Sequence, residues 1–208
     1  MTLHPAPAPG ERPPLPASAR TCARRLARRW LLPVLLALAC AGATVARGQD
    51  AELEYRVKAA FLYNFISFVE WPTNKLAGSD KEVLVGCLPD DPAAPILARS
   101  LEGKVADGRH IKLVILKEGT ESNGCHLLFL GRTHASHVDE VLARLKNAPV
   151  LTVSEVEDFG QRGGMINFVR HERTFRFEVN LAAAERAGLR ISSKLASMAT
   201  VVKSTTPP

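Results

Sequence analysis

The chain has 208 residues, with 27 Lys and Arg against 21 Asp and Glu, and a formal charge of +6 at pH 7. Seven of the arginines but only one acidic residue lie in residues 1–48, so the rest of the chain keeps 20 basic and 20 acidic residues. Because that part is formally neutral and has no basic run interleaved with aromatic residues, we do not expect it to bind nucleic acid.

The first 48 residues have the order of a secretory signal. Five arginines between positions 20 and 29 precede the apolar run Trp30–Ala39, and small residues and then Ala46-Arg47-Gly48 follow. This order predicts export, with cleavage between Gly48 and Gln49. The uncharged stretch Trp30–Ala46 approaches the length of a membrane span, so an uncleaved membrane anchor is the alternative. The predicted organisation is a leader at 1–48 and one domain at 49–208.

An apolar helix is predicted at Lys58–Pro72, KAAFLYNFISFVEWP. At 100° per residue its aromatic and aliphatic side chains extend well beyond the usual amphipathic stripe, and Asn64 projects into the apolar sector. Such a helix has to be covered on more than one side, by its own domain or by a partner. The sequence therefore gives a candidate interaction or dimer surface, with burial in the core as the alternative. Its residues are Phe61, Phe65, Phe68 and Trp71.

Helix and strand patterns alternate after this helix. Short apolar runs predict buried strands at Val83–Leu88, Ile111–Leu116, His126–Leu130 and Val150–Val153. Between them, helical signals run from Asp91, a candidate cap, to Leu101 and over Ala135–Lys146. Alternation of this kind predicts a mainly parallel sheet with helices on both faces.

The end of the chain has a different pattern. Met165–Val169 and Phe175–Asn180 predict an antiparallel hairpin, and Leu181–Ala187 predicts a helix that ends at Gly188. Lys194–Val201 predicts a final helical turn or two. The predicted fold class is α/β, a single three-layer domain with a mainly parallel sheet and a C-terminal antiparallel hairpin.

Two cysteines, Cys87 and Cys125, remain outside the leader. In an oxidising compartment they are expected to form a disulfide, which would constrain the unfolded chain by about 4 kcal/mol. Two small buried thiols are the alternative.

No motif gives a positive argument for catalysis. His134 and His137 have the spacing of a metal-binding pair, but a solvated pair at a helix start is the favoured interpretation. The glycines at 160, 163 and 164 follow a helix and enter a strand, the reverse of the order in a phosphate-binding loop. We therefore predict that the protein is not an enzyme and has no metal or cofactor.

The chain resembles the YfiR family of periplasmic proteins from about Tyr55 to Val201. The matching segments are KAAFLYNFISFVEWP at 58–72, VGCLPDDP at 85–92, LEGKVADGRHIKLVIL at 101–116, GCHLLFL at 124–130, PVLTVSEVEDFGQRGGMINFV at 149–169 and FRFEVNLAAAERAGLRISSKLASMA at 175–199. The resemblance supports a bridge between Cys87 and Cys125, while a second cysteine pair that some members have is absent here.

What the resemblance implies is a non-enzymatic regulator in the periplasm. Such a protein binds the periplasmic domain of an inner-membrane diguanylate cyclase and inhibits it, which lowers cyclic-di-GMP signalling and biofilm formation. The apolar first helix is also a candidate homodimer interface. The alternative function is a periplasmic small-ligand binding protein, with its site just past Leu88, Leu116, Leu130 and Val153, at the carboxyl ends of the strands.

Overall fold

The computed structural model describes residues 50–72, 81–116, 124–171 and 174–205. The leader predicted at 1–48 lies outside these ranges, and so does the cleavage point between Gly48 and Gln49. From Ala51 onward the described residues form one compact unit. Within the described ranges, no helix is long and apolar enough to cross a membrane.

The described elements alternate between helix and strand along the chain. The α-helices are α1 (50–67), α2 (Ala94–Leu101), α3 (Val138–Leu145), α4 (Leu181–Arg186) and α5 (Ser193–Ser197), and a 3-10 helix, Arg132–His137, leads into α3. The strands are β1 (Val69–Glu70), β2 (Glu82–Cys87), β3 (Val105–Ala106), β4 (Arg109–Ile115), β5 (Leu127–Leu130), β6 (Leu151–Ser154), β7 (Ile166–His171), β8 (Thr174–Val179), β9 (Arg190–Ile191) and β10 (Thr200–Val201).

Eight of these strands form one sheet in the order β10-β8-β7-β6-β5-β2-β4-β3. The neighbours from β7 to β4 are parallel, and so are β10 and β8. Antiparallel pairing joins β7 to β8, with Phe168 opposite Phe177, and β3 to β4. This topology confirms the predicted α/β fold with a mainly parallel sheet and an antiparallel hairpin near its end.

The core lies on both faces of this sheet. Along β5, Leu127 and Phe129 point into a first cluster, and Leu128 and Leu130 point into a second one, as the two-residue period of a strand requires. Helices α1, α2, α4 and α5 contribute to the first cluster, and α3 contributes to the second. The near-continuous apolar strands follow from burial on both faces.

Three local predictions were wrong. The first helix covers residues 50–67 and not Lys58–Pro72, because β1 follows it and pairs with β9, and the residue before Pro72 disfavours helix. The last predicted helix ends at Ser197, and the β-branched pair Thr200–Val201 joins the sheet beside β8. Asn64 is exposed, so its amide needs no partner in the core.

Candidate functional site

A fully buried ion pair holds the middle of α1 against the carboxyl end of β6. Lys58, in the middle of α1, has a side chain with 0% exposure, and it donates to Oε2 of Glu155, whose side chain is 1% exposed. Glu155 directly follows the last residue of β6. A second carboxylate, that of Glu54 one helical turn earlier, also binds the Lys58 ammonium. The buried charge is therefore neutralised from both sides, as a desolvated ammonium requires.

Further polar groups complete the coordination of Glu155. The Tyr55 hydroxyl donates to its Oε1 at 3.1 Å, the backbone N–H of Arg132 donates to the same oxygen at 3.4 Å, and the Arg132 Nε lies 3.5 Å from Oε2. Burial and the neighbouring Glu155 carboxylate raise the pKa of Tyr55 well above its ordinary value. Both oxygens of Glu155 are thus engaged, so the carboxylate acts as a structural counter-ion.

Two arginines and an aromatic ring close the outer side of this group. Arg132 and Arg170 place guanidinium nitrogens 3.7 Å and 3.8 Å from the oxygens of Glu54. The Phe175 ring lies 5.1 Å from the Lys58 Nζ and 5.8 Å from the Arg170 guanidinium carbon, both within range of cation–π attraction. We call this set the Lys58 network. Its members are Glu54, Tyr55, Lys58, Arg132, Glu155, Arg170 and Phe175.

The parallel sheet explains why residues so distant in sequence meet here. Arg132 follows the end of β5 and Glu155 follows the end of β6, and parallel strands bring their carboxyl ends to the same edge. The sequence analysis singled out neither Glu155 nor its partner. The available signal was Lys58 itself, which at 100° per residue falls between the buried Phe65 and Leu62.

Asp91 makes a second buried link at the same edge. Its Oδ1 accepts from the Ala93 N–H at 2.9 Å, and its Oδ2 accepts from the Gly131 N–H at 3.0 Å, which ties the segment after β2 to the end of β5. Helix α2 begins at Ala94, so Asp91 is not its side-chain cap as predicted. His134 contacts this carboxylate at 3.5 Å and the Pro89 carbonyl at 3.0 Å. In the described part of the chain, no three His, Cys, Asp or Glu side chains could hold a metal ion.

The outer face of α1 carries apolar side chains that the domain leaves uncovered. Leu53 is 61% exposed and Val57 is 38% exposed. Ala60 is also exposed, and Phe61 and Phe68 are half-buried on the same side of the helix. We call these five residues the α1 strip. Contiguous exposed apolar residues of this kind are typical of binding surfaces.

The four predicted interaction residues divide between the core and this surface. Phe65 is fully buried, with its ring 5.1 Å from that of Phe177, so it belongs to the core. Phe61 packs on the same aromatic cluster but stays half-buried. Phe68 is half-buried beneath the Lys194 ammonium, 5.0 Å away. Trp71 is half-buried and donates from Nε1 to the His126 carbonyl at 3.2 Å.

The two cysteines lie on opposite faces of the sheet. Cys87 packs in the first core cluster and Cys125 in the second. A Cβ built on Gly86, which points into the second cluster, would lie 3.0 Å from the Cys125 Sγ. The bridge between Cys87 and Cys125 that the sequence predicts stays a prediction.

The Cys87 side chain is fully buried. Burial raises its pKa well above the ordinary value, and the Asp91 carboxylate and Cys125 add to the shift. A thiol that stays protonated is a poor nucleophile, so this group is not suited to redox or nucleophilic chemistry in the folded protein.

Comparison with known proteins assigns the family. No curated protein matches the sequence. Among solved structures, a conserved domain protein from Vibrio cholerae O1 biovar El Tor is similar, with 15% identity and a TM-score of 0.49, over 64% of this chain and 60% of that one. This chain thus spans about three fifths of that protein's length. The sequence matches the YfiR/HmsC-like family over residues 55–200, and the protein therefore belongs to the YfiR/HmsC-like family.

Proposed function

We propose that this protein binds the periplasmic domain of an inner-membrane diguanylate cyclase and inhibits it, so that cyclic-di-GMP falls and biofilm formation decreases. The family match over residues 55–200 carries the proposal, because the YfiR/HmsC-like family consists of periplasmic, non-catalytic regulators of diguanylate cyclase signalling. Direct binding to the cyclase and the sign of its regulation are the parts we add.

The α1 strip is the surface on which we place the partner. Its exposed residues Leu53 and Val57 lie one helical turn apart, and Phe61 continues the same row. An apolar row on one helix fits the groove or helix face of another protein, which would bury it on association. Burying apolar surface contributes about 25 cal/mol per Å² removed from water.

The Lys58 network makes this surface rigid. The strip alternates along α1 with Glu54 and Lys58, which bind Glu155, Arg132 and each other on the inner side of the helix. A helix fixed in this way loses little conformational freedom when a partner binds. Inhibition then follows if the complex favours the inactive arrangement of the cyclase over the active one, since a ligand shifts an equilibrium only by its differential affinity.

Cellular cyclic-di-GMP in a deletion strain tests the proposal. We expect a rise on deletion that the exported protein reverses and that a version without residues 1–48 does not. A double variant, Leu53→Lys with Val57→Lys, should fail to reverse the rise. The matched control is Ile115→Lys, since Ile115 is an apolar residue of β4 with 52% exposure. It should restore repression fully.

Each result has a defined meaning. An unchanged level of cyclic-di-GMP on deletion would contradict the cyclase proposal and favour the small-ligand binding alternative. Repression by the double lysine variant would contradict the α1 strip as the cyclase surface. If that variant represses normally but changes from dimer to monomer in size-exclusion chromatography with light scattering, the strip is the homodimer surface instead.

A further inference from the structure

A groove lies at the amino ends of β6 and β7, away from the Lys58 network at the carboxyl ends. Helices α3 and α4 and the residues after β10 enclose about 810 Å³ there, a space that we call the α3–α4 groove. Thr152, the second residue of β6, and Met165, which precedes β7, lie at its base. Sites for small organic molecules occupy about 300–1,000 Å³, so the volume is suitable for one such molecule.

The floor of the α3–α4 groove is apolar. Its apolar lining consists of Leu142 and Leu145 of α3, Ala183 of α4 and Met165. Leu145, Met165 and Ala183 are almost completely buried, and each also belongs to a core cluster. The floor is therefore part of the rigid core, and a hydrocarbon or aromatic body could lie on it without rearrangement.

The rim of the groove is strongly basic. Lys146, Arg186 and Lys203 are exposed, and within the described ranges none of them has a carboxylate oxygen within 4.0 Å. A fourth cation, Arg162, binds the one lining carboxylate, that of Asp139, at 2.8 Å. Three cations thus remain without a counter-charge around one groove, although the chain after residue 48 is formally neutral.

A hydroxyl group adds a hydrogen-bond donor beside these cations. Ser204 lines the groove, and its Oγ accepts from the Asn180 Nδ2 at 2.8 Å. Because that contact uses the oxygen as an acceptor, the hydroxyl hydrogen is left to donate to an anion. Lys203, the preceding residue, lines the same part of the groove.

We infer that the α3–α4 groove binds an amphipathic organic anion, that is, a carboxylate, sulfonate or phosphate headgroup on an aliphatic or aromatic body. The body lies on the floor formed by Leu142 and Leu145. The headgroup lies among Arg186, Lys203 and the Ser204 hydroxyl, where charge-assisted hydrogen bonds hold it. A cationic molecule with the same body is rejected, because its charge would face three uncompensated cations. The groove and the α1 strip share no residue, so this inference does not depend on the cyclase proposal.

Titration calorimetry with decanoate, below its critical micelle concentration, tests the inference on the mature protein. Two companion probes separate the contributions: acetate carries the headgroup alone, and decyltrimethylammonium carries the same chain with the opposite charge. A fourth probe, an acidic amphipathic peptide of Glu and Leu, represents a polypeptide partner. We expect saturable one-to-one binding of decanoate and no binding of the other three.

Charge reversal locates the site. Arg186→Glu with Lys203→Glu should weaken decanoate binding at least about tenfold, the loss expected from one or two charge-assisted hydrogen bonds. The matched control is Lys104→Glu with Arg176→Glu, which reverses two exposed cations outside the groove. It should leave the affinity unchanged. Thermal unfolding followed by circular dichroism must be the same for both pairs, which excludes misfolding as the cause.

Four results would overturn the inference. Absence of saturable binding rules out the site, and equal weakening by the control pair shows that only the overall charge of the protein matters. Binding of acetate or decyltrimethylammonium as strong as that of decanoate shows that one half of the site acts alone. Binding of the acidic peptide but not of decanoate assigns the groove to a polypeptide.

Discussion

Lys58 and Glu155 are 97 residues apart in sequence and form an ion pair from which solvent is excluded. Moving either charge out of water costs several kcal/mol, and their attraction repays this only when other polar groups complete the geometry. Glu54, Tyr55 and Arg132 supply those groups. The pair therefore fixes the register of α1 on the sheet, because a shift of the helix would leave a buried charge without a partner.

The first prediction concerns the removal of one member of this pair. Lys58→Met keeps the apolar stem but leaves the Glu155 and Glu54 carboxylates without their shared cation. We expect the free energy of unfolding, measured with urea, to fall by about 3–5 kcal/mol. The double variant Lys58→Met with Glu155→Gln should be more stable than the sum of the two single changes indicates, because it removes both charges.

An exposed ion pair provides the control for this measurement. Arg144 and Glu140 lie one turn apart on α3, with side chains 41% and 58% exposed. Arg144→Met should change the free energy of unfolding by less than about 1 kcal/mol. Equal effects of Lys58→Met and Arg144→Met would show that burial adds nothing and would contradict the structural role of the pair.

The second prediction separates core from surface among the aromatic residues of the first helix. Phe65 is fully buried and touches the rings of Phe168 and Phe177, so Phe65→Ala should lower the free energy of unfolding by about 3–5 kcal/mol. Phe68→Ala should cost clearly less, because Phe68 is only half-buried. Urea unfolding of both variants measures the difference. A larger loss for Phe68→Ala would show that α1 is rotated relative to this structure.

The sequence predicted the architecture and left the functional geometry largely open. Short apolar runs identified β2, β5 and β6 because strands buried on both faces are apolar almost throughout. A similar run identified β4, although that strand is partly exposed. The helical period could not tell which side of an over-apolar helix faces the sheet, and so Phe65 was grouped with surface residues. The pairing of Lys58 with Glu155 depends on the order of the parallel strands in the sheet. Local sequence patterns do not predict that order.

The third prediction concerns stability at alkaline pH. Cys87 has an ordinary pKa of 9.0, and burial raises it in the folded protein. The folded state therefore keeps a proton that the unfolded chain loses, so the contribution to stability is complete below pH 9 and decreases as the pH rises beyond it. We expect the free energy of unfolding to fall by up to about 1.4 kcal/mol per pH unit above pH 9. Cys87→Ala should reduce this slope, and parallel pH profiles of the two proteins would contradict it.

The fourth prediction concerns the state of the cysteines. Because the sequence predicts a bridge between Cys87 and Cys125, neither should react with a maleimide when exported protein is denatured without reduction. Mass spectrometry counts the labels on each residue, and a parallel sample that was reduced first gives the full count. If both residues are labelled before reduction, the bridge is absent.

The last prediction concerns the close approach of Gly131 and Asp91. Gly131 has φ −72° and ψ 170°, an extended backbone that any residue adopts, so Gly131→Ala brings no backbone strain. The added Cβ would, however, lie 2.5 Å from the Asp91 Oδ2. The carboxylate is held in place, because its Oδ2 accepts from the Gly131 N–H and its Oδ1 accepts from the Ala93 N–H. We expect Gly131→Ala to lower the free energy of unfolding by about 1–3 kcal/mol.

Gly124→Ala is the control, since a Cβ there meets no described atom within 4 Å, and it should change the free energy of unfolding by less than about 0.5 kcal/mol. Combining Gly131→Ala with Asp91→Ala removes the clash together with the carboxylate, so the double variant should lose less than the sum of the single losses. Strict additivity would mean that the two residues are not in contact, and the link between β2 and β5 at this edge of the sheet would have to be assigned to other groups.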